Sequence, residues 1–80
     1  MNDRNRLRWR CRRGVRELDL LLSRFLDTRY DQLSQDGKKY FELFLNQSDP
    51  DLLAWLMGNR VPQEEDMQRL VAEIRRTEPQ

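Results

Sequence analysis

From Leu18 onward the apolar residues come in short clusters whose spacing belongs to helices. Leu18, Leu21, Leu22 and Phe25 fall at i, i+3, i+4 and i+7, the stripe of a helix over residues 15–28. Tyr40, Phe41, Phe44 and Leu45 give another helix its apolar face. Ser34 stands where the N-cap of that helix belongs, with Asp36 in the first turn. In "SDPD", Ser48 or Asp49 caps the next helix, Pro50 takes the first helical position and Asp51 adds an early negative charge. Leu52, Leu53, Leu56 and Met57 supply its apolar positions, and Gly58 stops it. Pro62 opens the last helix, with Glu64, Glu65 and Asp66 at its positive end. Met67, Leu70, Val71 and Ile74 form its stripe, Arg75 and Arg76 sit at its negative end, and Pro79 lies just beyond the stop.

The amino-terminal arm is less regular. Arg4, Arg6, Arg8, Arg10 and Arg12 alternate with a period of two, as in a strand. Leu7 and Cys11, however, are spaced i, i+4, and Asp3 is placed to cap, so the pattern predicts a short helix over residues 4–11. The expectation is an all-α fold: a compact bundle of five short helices in a single domain over residues 1–80, with residues 1–3 and 77–80 loose.

Composition narrows the function classes. The longest apolar run is "LLAWLM", residues 52–57, far below the roughly 20 residues that span a bilayer. Cys11 is the single cysteine and histidine is absent, which excludes an internal disulfide, the usual zinc sites and Cys-His or Ser-His machinery. No covalent catalysis by this chain is expected. The amino terminus has no signal-peptide core, and the reading is a mature cytoplasmic protein of bacterial type.

Charge is uneven. Residues 1–16 hold seven arginines against Asp3 alone, whereas residues 17–80 hold 8 basic and 13 acidic side chains. A basic end on a near-neutral chain suggests an anionic partner, whether nucleic acid, a phosphate-bearing cofactor or an acidic protein surface. Nucleic acid is disfavoured by the acidic remainder, a pI near 7.9 and the lack of a helix-turn-helix or RNA-binding motif.

"RRGVRE", residues 12–17, joins the arm to the first clear helix. Gly14 serves either as a turn residue or as a point where another backbone comes close. Arg13 and Glu17 are either an exposed i, i+4 pair or a donor fork and an acceptor for a partner. Trp9 is the better of the two tryptophans for an exposed anchor, and Trp55 reads as packing. Asp49 and Asp51 read as helix-start residues, Glu64 to Asp66 as dipole partners rather than metal ligands, and Cys11 as a buried apolar residue.

These residues carry a resemblance. "WRCRRGVRELDLLLSRFL" resembles the SdhE family of flavinylation factors, the succinate dehydrogenase assembly factors, whose signature Arg-Gly-x-x-Glu is met by Arg13, Gly14 and Glu17, followed by Leu18 and Asp19. The likeness resumes in "DPDLLAWLMG" and spans residues 6–74; Val15 departs from the methionine common in relatives but stays apolar. The resemblance implies a non-enzymatic assembly factor that binds the flavoprotein subunit of succinate dehydrogenase, and of fumarate reductase, and promotes covalent attachment of FAD to it. No tightly bound cofactor, no nucleic acid and no membrane insertion are expected, and the size and polarity favour a free monomer. Arg13, Gly14 and Glu17 would be the partner-binding residues, extended by Trp9, Arg10, Arg12, Val15 and Asp19. The alternative left open is a small basic-armed regulatory or nucleic-acid-binding protein of antitoxin type.

Overall fold

A computed structural model of the chain describes residues 3–77, with side chains from residue 4. The elements in order are α1 (Asp3–Arg10), α2 (Arg16–Thr28), a single 3-10 turn (Tyr30–Gln32), α3 (Gln35–Leu45), α4 (Asp49–Leu56) and α5 (Glu65–Arg75). α2, α3 and α5 bury most of the stripes that their spacing defines, and α4 buries Leu52. Leu18, Leu22, Phe25 and Leu26 of α2 meet Phe41, Phe44 and Leu45 of α3, Leu52 of α4, and Met67, Leu70, Val71 and Ile74 of α5. Leu7 and Cys11 bring α1 onto the same core.

Aromatic rings run through the centre. Phe25 and Phe41 lie 5.4 Å apart between centroids, Phe41 and Phe44 6.4 Å, and Phe44 and Trp55 6.1 Å, so one chain of rings links α2, α3 and α4. Such pairs are worth about 0.5–1.5 kcal/mol beyond their buried area. The three Phe side chains have no exposed surface.

The helix ends largely follow the sequence. The Ser34 hydroxyl accepts from the Gly37 amide at 3.1 Å, and the Ser48 hydroxyl accepts from the Asp51 amide at 3.3 Å. Ser48 is thus the cap of α4, which puts Asp49 rather than Pro50 at the first helical position. α4 ends as its glycine predicts: Gly58 has φ +81°, its amide donates to Trp55, and the Asn59 amide donates to Ala54 at 2.8 Å. Those two bonds satisfy carbonyls that the helix end would leave bare. The capping role expected of the Asp3 side chain lies outside the described residues, as does Pro79.

Other expectations are corrected. α5 starts at Glu65, three residues after Pro62, because Pro62 is buried and serves the loop instead: its carbonyl accepts from the Gln68 side chain at 2.8 Å. Met57 does not join the apolar face of α4 but stands 69% exposed at its C-terminal edge. The 3-10 turn at Tyr30–Gln32 has no periodic signal and follows from packing, with Tyr30 laid against Phe41 at 5.6 Å. Thr77, expected in a loose tail, is buried, and its hydroxyl donates to the Glu73 carbonyl at 2.9 Å.

Cys11 is fully buried, and burial pushes its thiol up to about 11 despite the nearby charges of Arg8, Arg13 and Arg10. The native state therefore holds the proton through the range in which an unfolded thiol releases it, near pH 8.5. The stability this provides is complete below that pH and is lost as pH rises toward 11. At pH 8 native Cys11 should react with an aromatic disulfide reagent only as fast as the fold opens, and rapidly in urea. Absorbance of the released thiolate checks this, and fast stoichiometric reaction of the native chain would contradict it.

Candidate docking surface

The link between α1 and α2 is short, irregular and tightly held. α1 closes with the Cys11 amide donating to Leu7 and the Arg12 amide donating to Trp9. The chain then turns through Gly14 at φ +86°, a backbone region that L side chains adopt only with strain. Asp19, one turn inside α2, fixes that conformation. Its two carboxylate oxygens accept from consecutive amides, Arg13 at 2.7 Å and Gly14 at 3.1 Å. Bonds from amides to a carboxylate are roughly twice as strong as neutral ones. Asp19 also joins Glu17 in the first turn of α2, where the helix dipole favours negative charge.

Arg13 points inward. Its Nε donates to Asp49 at 2.8 Å, one terminal nitrogen donates to the Leu45 carbonyl at 2.7 Å and to the Arg10 carbonyl at 3.3 Å, and the other donates to the Gln47 carbonyl at 2.6 Å. The side chain is 16% exposed. This corrects the expectation of an exposed pair with Glu17 and turns the donor fork toward the chain's own carbonyls and Asp49. The reason is local electrostatics. The C-terminal end of α3 offers bare carbonyls at the negative end of a helix dipole, with Asp49 beside them, whereas Glu17 offers one carboxylate in water.

The rest of the basic arm is drawn in similarly. Arg10 donates to the Glu42 carbonyl at 3.1 Å and to the Asn46 side chain, and faces the Glu42 carboxylate at 3.5 Å. Arg8 pairs with Asp27, and this hydrogen bond holds the Asp27 carboxyl below its ordinary value. Arg4 pairs with Asp31 and donates to the Leu26 carbonyl at 2.8 Å. Among the described residues, Arg4, Arg8, Arg10 and Arg13 thus have acidic partners inside the chain.

The predicted site residues divide into two groups. Arg10, Arg13, Val15 and Asp19 lie partly buried beneath the turn and hold it. Trp9, Arg12, Gly14 and Glu17 stand on its outer side. Trp9 is 70% exposed, with the Arg12 guanidinium 5.0 Å over its ring. A Cβ built on Gly14 would meet nothing within 4 Å, so this glycine is required by backbone conformation, with open space outside it. A shallow groove beside Gly14 is lined by Arg12, Arg16, Asp19, Leu20 and Ser23. Arg16 and Leu20 were not among the residues expected here. Leu20 had a signal: it lies off the stripe of Leu18, Leu22 and Phe25 and is 50% exposed. Among the described residues, no helix is long and apolar enough to cross a membrane.

The chain is similar to proteins already known. Residues 5–78 match the family described as "Flavinator of succinate dehydrogenase". A protein of Idiomarina loihiensis named FAD assembly factor SdhE is 42% identical over 71 residues, which cover 89% of this chain and 79% of the relative. Proteins of the same name from Legionella pneumophila (strain Paris) and Photorhabdus laumondii are 46% and 41% identical, over 79% and 89% of this chain and 80% and 81% of their own lengths. Their shared name describes an assembly factor rather than a catalyst. By these matches the chain belongs to the succinate dehydrogenase flavinator family, with the SdhE FAD assembly factors among its relatives.

Proposed function

We propose that this chain docks on the flavoprotein subunit of succinate dehydrogenase, and on that of the related fumarate reductase, and promotes covalent attachment of FAD to it. The observation that carries this reading is membership of the flavinator family across almost the whole described chain. The exposed turn supports it: an indole, a guanidinium and a side-chain-free backbone are presented together on a rigid base. Aromatic residues and arginine are the types that anchor interfaces.

In this reading the factor takes no part in bond formation. It has no histidine to receive a flavin, and FAD remains in the partner's own site. Docking contributes by holding the partner's domains in the geometry that brings the reacting groups together, and orientation alone can contribute several kcal/mol. The regulatory or nucleic-acid alternative loses its main support, because four arginines of the arm are neutralised within the chain.

Arg13 contributes through position: it ties the turn to the α3–α4 junction, and its charge does not meet the partner. Arg13→Ala should therefore lower folding stability by about 2–3 kcal/mol, the scale of hydrogen bonds to a buried charged group, and weaken docking with it. Arg13→Lys should recover only part of both, since an ammonium cannot reproduce the planar fork. Urea unfolding read beside partner binding checks this; loss of binding at full stability would make Arg13 a direct contact.

Gly14 separates folding from docking. Gly14→Ala and Gly14→Arg should both fold, each destabilised by about 1–2 kcal/mol from the left-handed backbone, since neither meets a steric obstacle at Cβ. Covalent flavin fluorescence on a denaturing gel, with the flavoprotein subunit produced beside each variant, should show strong labelling with the natural chain. Labelling should be reduced with Gly14→Ala and absent with Gly14→Arg. Equal labelling in all samples, including one without the factor, would refute the function.

A further inference from the structure

The groove between the end of α1 and the first two turns of α2 carries a charge pattern that docking alone does not require. Arg4, Arg8, Arg10 and Arg13 each have a carboxylate partner in the chain. Among the described residues Arg12 and Arg16 have none, and both line the groove beside Gly14. Its acid, Asp19, already accepts from the Arg13 and Gly14 amides. Leu20, half exposed, supplies an apolar surface between the charges, and the Trp9–Arg12 pair stands at the edge.

We infer that this groove receives an acidic segment of the flavoprotein partner, with an apolar side chain against Leu20 and carboxylates on Arg12 and Arg16. The inference rests on the docking function proposed above and names the chemistry that this face selects. Covering two guanidiniums with a neutral surface would cost their hydration without replacement, whereas carboxylates match the guanidinium fork with two parallel bonds. Open space outside Gly14 lets the segment's backbone approach the turn. Arg12 stacked over Trp9 is held in place before contact, which lowers the cost of ordering it.

The test is binding of the full chain to the purified flavoprotein subunit at about 50 mM and about 500 mM salt, where screening differs strongly. Natural-chain affinity should fall about tenfold between the two, and the double variant Arg12→Glu/Arg16→Glu should bind about a hundredfold more weakly at low salt with little salt dependence. Leu20→Ala should weaken binding about fivefold at both salts, and Arg12→Lys/Arg16→Lys should weaken it about tenfold at low salt while keeping the salt dependence, since an ammonium retains the charge but not the planar fork. All these side chains are exposed, and circular dichroism verifies that each variant folds. Unchanged affinity and salt dependence in the charge-reversed variant would overturn the acidic segment and leave the docking function standing. Displacement of the natural chain by free FAD would identify the anion as a cofactor phosphate and overturn it too. Failure of the natural chain to bind the subunit at all would remove both.

Discussion

The guanidinium of Arg13 closes the C-terminal end of α3. Helix ends leave carbonyls without partners, and a buried end without partners is costly. Here one planar cation meets the Leu45 and Gln47 carbonyls and the Asp49 carboxylate, while Arg10 meets the Glu42 carbonyl one turn earlier. The α1–α2 link is thereby fastened to the α3–α4 junction across more than thirty residues of sequence. Without that tie, the glycine turn at positive φ would be defined mainly by the Asp19 carboxylate.

This fastening gives the Arg-Gly-x-x-Glu stretch two physical roles. The arginine and the following aspartate work on the inside, one on helix carbonyls and the other on backbone amides. The glycine and the glutamate work on the outside, beside Trp9 and Arg12. For the docking function proposed above, the chain needs a surface more rigid than the loops it would organise. A turn held by two charged groups and a helix start meets that need in a small domain, where total stability is only about 5–15 kcal/mol. The exposed Met57 and Val61 lie on the α4–α5 loop and stay outside this assignment.

Much of the fold was legible in the sequence because it rests on local rules. The stripes of α2, α3 and α5, the Ser34 and Ser48 caps and the Gly58 stop each follow from residue type and spacing within one or two turns. What could not be read depends on tertiary partners. Pro62 looked like a helix opener, but burial assigns it to a loop. The arginine arm looked free because its partners, Asp27, Asp31, Glu42 and Asp49, arrive from other elements of the fold. The candidate site was located by its turn and its resemblance, yet which of its side chains face in or out was fixed by the α3 carbonyls. Leu20 could have been noticed as an apolar residue off its stripe; Arg16 gave no signal beyond being one arginine among many.

The most direct measurement is a hydrogen-exchange footprint of this chain bound to the succinate dehydrogenase flavoprotein subunit. The account predicts new protection centred on residues 9–20, with the α4–α5 loop around Met57 and Val61 exchanging as in the free chain. Protection centred on that loop, with residues 9–20 unchanged, would contradict the assignment of the docking face.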